Sequence, residues 1–162
     1  MARYGETIMP DSLREMVSFR IRLIQIAAYR RFEAVLRGYG TAPRYFGLLK
    51  IVEANPGISQ SRLAEAVMLE RASLVPILDV MEREGVVRRD PSPSDRRLRC
   101  VSLTEAGAGL LAQMAPEVAR HEAAMTAGIG AGDMARLIAM LDLIEANLAA
   151  TPGAPQGGEG AA

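Results

Sequence analysis

The chain has 162 residues, 49% of them apolar and 4% aromatic, with no Trp; that suffices for one domain, or a small domain with added arms, built on an aliphatic core that suits packed helices better than aromatic-rich strands. Nineteen basic residues, all Arg except Lys50, balance nineteen acidic ones, so overall charge gives no ground for nucleic-acid affinity and any basic footprint must be local. Cys100 is alone, which excludes an intramolecular disulfide; there is no signal-peptide pattern and no apolar run of roughly 18 residues, so a cytoplasmic protein without a membrane span is expected.

After Pro10, Asp11 or Ser12 can cap a helix, since a side-chain oxygen there accepts from free N–H groups of the first turn. Beyond Leu13 the apolar positions Met16, Val17, Ile21, Ile24, Ala27, Ala28, Val35 and Leu36 recur at helical spacing. Phe19, Leu23 and Ile26 add a second row. The spacing predicts one helix over 12–37, apolar on two sides, with one side for its own domain and the other for a second subunit; Gly38 and Gly40 end it. Thr41 is placed to cap a second helix with Pro43 in its first turn and Tyr45, Leu48, Leu49 and Val52 inward.

Asn55-Pro56-Gly57 is a turn, and Ser59 caps a short third helix carrying Leu63, Ala64 and Val67. A fourth helix is predicted over 71–84, with Leu74, Ile77, Leu78 and Met81 inward and Gly85 as its stop. Residues 86–90 and 97–103 read as two strands of a ribbon whose tip, 91–96, is rich in Pro, Ser and Asp and lacks apolar residues. Thr104 caps a fifth helix with Leu110, Leu111, Met114, Val118 and Met125, and glycines within 128–132 break it. A sixth helix carries Met134, Leu137, Ile138, Leu141, Ile144 and Leu148. Residues 150–162 have no core-forming side chains and are expected to be a disordered tail.

Two short helices joined by a tight connection at 67–70, followed by a ribbon, are the parts of a winged helix-turn-helix. Residues 86–100 hold Arg88, Arg89, Arg96, Arg97 and Arg99 against Asp90 and Asp95, a basic tip that can reach phosphates or a minor groove. A solvated hairpin can carry the same charges, so the order of elements decides. In that order, residues 48–107 resemble the MarR family. Pro56-Gly57-Ile58-Ser59-Gln60-Ser61 followed by Leu63-Ala64-Glu65 looks like its first helix-turn-helix helix. Leu78-Asp79, Met81-Glu82 and Gly85-Val86-Val87-Arg88-Arg89 look like the end of its recognition helix and the entry to the wing. Asp90-Pro91 to Asp95-Arg96-Arg97, then Val101-Ser102-Leu103-Thr104 and Gly107, are similar to its wing signature.

The resemblance implies a mainly α winged helix-turn-helix with a two-stranded β wing. Residues 41–103 would form the DNA-binding domain, with dimerisation helices at 11–40 and 104–149. It implies a homodimeric, ligand-responsive transcriptional regulator, a repressor of a near-palindromic operator in double-stranded DNA. The effector would be an aromatic carboxylate or derivative, bound between the dimerisation helices and the winged domain. The DNA set is Ser59, Gln60, Ser61, Arg71, Ser73, Arg88, Arg96, Arg97 and Arg99. The effector set is Phe19, Arg22, Ile26, Arg44, Tyr45 and Leu48, with Arg22, Arg30 and Arg44 as candidate carboxylate or phosphate partners.

Two departures from the family pattern stand out. Val75 and Pro76 replace polar residues in the middle of the recognition helix; Pro76 removes one backbone hydrogen bond and should bend the helix, shifting base reading to Arg71 and Ser73. They also motivate a second reading, a winged-helix protein-interaction module without specific DNA binding, although such a module has no need of Asp95-Arg96-Arg97 and Arg99. Arg62 stands where a capping-box Glu is usual.

His121, the one histidine, falls on the inward stripe between Val118 and Met125 without metal-ligand partners at suitable spacing, and reads as a core or interface residue. Cys100 has Arg99 beside it, which could lower a thiol pKa, but the family's peroxide sensors carry their reactive Cys near the first helix, where this chain has none. No phosphate-binding Gly loop, nucleophile elbow or His-Glu zinc helix occurs, so neither a cofactor nor an enzyme activity is expected.

Overall fold

The computed structural model describes residues 10–40, 42–92, 95 and 98–150. They divide into two units at Met125/Thr126. The first unit holds the core and all three strands.

The helix read over 12–37 is two helices, α1 (Asp11–Arg14) and α2 (Val17–Val35). Neither Asp11 nor Ser12 caps the start. Pro10 occupies that place, and its carbonyl accepts from Leu13 and Arg14 at 3.1 and 3.2 Å. Met16 then takes an extended backbone, φ −74° and ψ 115°, so the ladder restarts with Arg20 N–H donating to the Met16 carbonyl at 3.0 Å. Helix α2 ends near Leu36, and Gly38 follows at φ +118°, where a side chain would be strained. Nothing in α2 is buried. Phe19, Leu23, Ile26 and Phe32 are half-covered, while Met16, Val17, Ile21 and Ile24 stay exposed.

Thr41 lies outside the described residues. A 3-10 turn (Ala42–Tyr45) precedes α3 (Phe46–Ala54), which buries Leu48, Leu49 and Val52. A short β1 (Ile58–Ser59) leads into α4 (Gln60–Ala66), and Ser59 Oγ accepts from Arg62 N at 3.3 Å, the expected cap. Helix α4 closes with a complete Schellman motif: Leu69 N–H donates to the Ala64 carbonyl at 2.9 Å and Met68 N–H to the Glu65 carbonyl at 3.1 Å. Met68 sits where Gly is usual, at φ +53°.

Helix α5 (Arg71–Arg83) runs on through Pro76 and buries Leu74, Leu78 and Met81, one stripe at i, i+4 and i+7. Full burial of each such side chain stabilises by about 1.5–3 kcal/mol. The same motif ends this helix: Gly85 lies at φ +71°, with Gly85 N–H to the Glu82 carbonyl at 3.0 Å and Val86 N–H to the Met81 carbonyl at 2.9 Å.

Strands β2 (Val87–Pro91) and β3 (Arg99–Leu103) pair antiparallel from Val87↔Leu103 to Pro91↔Arg99. The sheet has three strands rather than two, in the order β1-β3-β2, because Ile58 and Ser59 pair with Val101 and Cys100 on the free edge of β3. Pro91 is tolerated because β2 is itself an edge.

Helix α6 (Glu105–Met125) starts at Thr104, whose Oγ1 accepts from Gly107 N at 3.0 Å and donates to the Gly85 carbonyl at 2.6 Å. It buries Leu111 and Met114 and packs on α2 and α3. Tyr39 OH donates to the Gln113 carbonyl at 3.3 Å, tying the chain after α2 to α6.

In the second unit, Gly128 at φ +87° precedes α7 (Ala131–Ala150). Helix α7 has no buried residue; Met134 and Ile144 are half-covered, and Ile138, Met140, Leu143 and Leu148 are exposed. No described helix is long and apolar enough to cross a membrane.

Candidate nucleic-acid interface

The first turn of α5 is exposed at Arg71, Ala72 and Ser73, because the buried stripe begins at Leu74. Arg71 shares a groove with Ser61, Glu65, Met68, Leu69 and Glu70, so the fold brings the start of α4 and the start of α5 together around the turn. Ser61, Arg71 and Ser73 are all exposed to solvent. Ser59 is half-covered and engaged in capping.

Gln60 is placed differently. It is 5% exposed and lines a cleft with Glu82, Arg89 and Arg99. Arg88 and Arg99 are exposed, and Arg88 Nε lies 3.5 Å from Asp90 Oδ2. Arg96 and Arg97 lie outside the described residues.

Not all the wing arginines share one task. Arg89 Nη2 lies 2.7 Å from Asp79 Oδ1 and 2.5 Å from Glu82 Oε2, its Nε donates to Glu82 Oε2 at 3.0 Å, and its backbone N–H donates to Glu82 Oε1 at 3.2 Å. The Arg89 guanidinium therefore ties β2 to α5. Its hydrogen bonds hold the Glu82 carboxyl below the ordinary Glu range, and Glu82 in turn raises the Arg89 pKa. Of the basic residues counted in the wing, Arg89 is internal. Period-2 alternation could have shown this, since it puts Arg89 on the inward face with Val87, opposite Arg88.

The residues read as effector contacts gather less tightly. Phe19 and Ile26 are half-covered and Arg22 is exposed on α2; Tyr45 is half-covered on the 3-10 turn; Leu48 is buried in the core of α3. Arg44 lies 3.9 Å from Glu33, which accepts from Tyr29 OH at 2.9 Å. Burial first, then the bond to Glu33, raises the Tyr29 pKa, and the neighbouring Tyr29 hydroxyl raises that of Arg44. Phe32, next to Glu33 in the chain, meets Phe46 edge-on at 5.9 Å between centroids and His121 at 5.4 Å. His121 is buried, as its position on the inward stripe required. Among the described residues there is no cluster of ligating side chains that could hold a metal. Cys100 is a free, half-covered thiol in the central strand.

Helices α4 and α5 joined by a left-handed turn, with an antiparallel ribbon after α5, define a winged helix-turn-helix. The chain belongs to the MarR family of transcriptional regulators, whose model matches residues 41–98. It is 33% identical over 146 residues to a Thauera aromatica protein named as a candidate transcriptional regulator for the hcr operon, a match covering 90% of this chain and 88% of that one. The structure of the transcriptional repressor CouR bound to a 23-mer DNA duplex is 31% identical with a TM-score of 0.79, covering 87% of this chain and 99% of that chain. CouR bound to p-coumaroyl-CoA is 27% identical with a TM-score of 0.76, covering 86% of this chain and 98% of that chain.

Proposed function

We propose that the protein is a dimeric, ligand-responsive repressor that reads a near-palindromic operator and is released by a small aromatic acid or its thioester, acting in the cytoplasm and not as an enzyme. The observation that carries this reading is the exposed first turn of α5, Arg71 to Ser73, in a chain 31% identical to a repressor bound to a DNA duplex. A recognition helix entering a major groove by its N-terminal turn presents these side chains to base edges. Ser59, Ser61, Arg88, Arg96, Arg97 and Arg99 then serve the phosphates, with Gln60 supporting α4 from within.

Dimerisation through residues 11–40 and 104–149 is supported by apolar rows left in water. Val17 and Ile24 of α2 are 56% and 57% exposed, and Leu143 and Leu148 of α7 are 61% and 73% exposed. Several exposed apolar side chains on each of these helices favour an interaction site there. A two-fold dimer sets its recognition helices in successive major grooves, about 34 Å apart, which is why the operator should be near-palindromic. Residues 41–103 form the DNA-binding domain in this reading. The effector lies against α2 and the 3-10 turn, near Phe19, Arg22, Ile26, Arg44 and Tyr45. CouR's complex with p-coumaroyl-CoA supports an aromatic acyl compound as its class. Bound there, it favours a spacing of the winged lobes that no longer fits the operator.

Selection of binding sites from random duplex DNA, with sedimentation at micromolar concentration and a panel of aromatic acids and their CoA thioesters, tests the proposal. An enriched inverted repeat bound by a dimer and released by one of the compounds is expected. A stable folded monomer refutes the dimer. Failure to enrich any sequence refutes the repressor and favours a protein-binding winged helix.

A further inference from the structure

The junction of α2, α3 and α6 holds a polar group that the fold leaves unpaired. His121 is 4% exposed, and its Nδ1 is buried without a hydrogen-bond partner among the described residues. Its surroundings are aromatic: Phe32 of α2 meets the imidazole edge-on, and Phe46 of α3 meets Phe32. Burying a ring nitrogen without a partner costs its full desolvation, whereas an apolar side chain of similar shape would cost nothing there. The same junction adjoins the 3-10 turn that carries Arg44 and Tyr45. Buried polar groups in native proteins are paired, and a bound molecule is one way of pairing them.

We propose that His121 Nδ1 is the interior hydrogen-bonding contact for the effector, and that the effector is a hydroxylated aromatic acyl compound whose phenol hydroxyl pairs with that nitrogen while its ring packs on Phe32. This rests on the effector reading given above and adds the residue and the substituent. A hydroxyl fits the nitrogen because it both donates and accepts, and so pairs with Nδ1 whether that atom carries a hydrogen or a lone pair. A carboxylate is the poorer fit, because carrying an ionised group in among Phe32 and Phe46 costs its desolvation. The ring thus enters hydroxyl first, and the acyl end stays toward polar side chains.

His121 is the one histidine in the chain, so imidazole 15N resonances of the full-length, histidine-labelled protein report on it without ambiguity. The probes are p-coumaroyl-CoA and cinnamoyl-CoA, which differ by the para hydroxyl. We expect p-coumaroyl-CoA to shift the Nδ1 resonance and to bind about ten-fold tighter or more than cinnamoyl-CoA, as a lost buried hydrogen bond requires. His121→Phe should bring the two compounds to within about two-fold, while His121→Asn, whose amide reaches the region of Nδ1, should keep most of the preference. Operator binding without effector monitors the fold of each variant. If His121→Phe does not fold, the resonance and His121→Asn still decide.

A preference that survives in His121→Phe overturns the proposal, and so does an Nδ1 resonance unmoved at saturation, as when an internal water alone pairs with the nitrogen. Both outcomes leave the effector reading intact. If neither compound binds wild-type protein or releases it from an operator that it otherwise binds, the aromatic acyl effector itself fails, and this proposal falls with it.

Discussion

Gly107 and Gly109 stand in the first turns of α6, and one methyl group added to each is expected to move stability in opposite directions. A Cβ on Gly107 would lie 2.0 Å from the Val86 carbonyl oxygen, 2.9 Å from its carbon and 3.2 Å from Val86 Cγ1. Relieving that overlap means moving the start of α6 away from Val86 by about 1 Å. The same carbonyl accepts from Thr104 N at 3.1 Å, and Thr104 Oγ1 caps Gly107 N at 3.0 Å. The movement therefore loosens the cap as well. Overpacking costs about 1–3 kcal/mol and each weakened hydrogen bond about 0.5–1.5 kcal/mol, offset by up to about 1 kcal/mol from better helix propensity. The net destabilisation of Gly107→Ala is about 2–4 kcal/mol.

A Cβ on Gly109 meets nothing within 4 Å, so Gly109→Ala keeps only the propensity gain of about 0.5–1 kcal/mol. At about 2–4 °C per kcal/mol, the first variant should lose roughly 5–15 °C in Tm and the second should gain about 1–4 °C. Thermal melts at one fixed protein concentration measure this, since the proposed dimer would make Tm concentration-dependent. Operator affinity belongs beside the melts, because Val86 leads into the wing. A Gly107→Ala protein that melts at or above the parent would refute the close approach as a constraint.

Arg89→Met should destabilise by about 1–2 kcal/mol, the buried-pair cost discounted for its half-exposed partners, and should weaken operator binding by freeing the wing from α5; a melt and a titration check both. Because Arg89 depresses the Glu82 pKa, this pair's contribution is fully present above the ordinary Glu value of 4.5 and is lost as pH falls from there through the lower folded value. The stability gap between wild type and Glu82→Gln should accordingly narrow on acidification from about pH 6 to about pH 3; a gap constant across that window refutes the linkage. Arg71→Ala and Ser73→Ala should cost about 1–3 kcal/mol at particular base positions while sparing random duplex, and an unchanged operator profile would place base reading elsewhere. Arg96→Ala and Arg97→Ala should weaken cognate and random duplex alike and lower the log–log salt slope by about 1 per lost phosphate contact; salt slopes like the parent's would show that the wing does not reach the backbone.

The elements whose causes are local were legible in the chain itself. Ser59 and Thr104 cap the helices they precede, since a cap needs only a side-chain oxygen and N–H groups two or three residues away. Gly85 stops α5 because one left-handed residue suffices. The inward stripe Leu74, Leu78 and Met81 follows from 3.6 residues per turn. From these the order of the helix-turn-helix and its wing could be read, and the exposed α5 start with it. The break at Met16 left no such mark, as neither Gly nor Pro stands there.

What only the tertiary structure decided involves groups far apart along the chain. Arg89 looks like one more basic wing residue until α5 brings Asp79 and Glu82 against it. Gln60 reads as the exposed start of a DNA-contacting helix until β3 and α5 close over it. Ile58 and Ser59 become a strand because β3 offers an unpaired edge, and backbone groups there must find partners. Gly107 carries its constraint only through the approach of Val86, and His121 its unpaired nitrogen only through Phe32 closing over it. In each case the deciding energy is a desolvation or an overlap between segments that meet only in the folded chain.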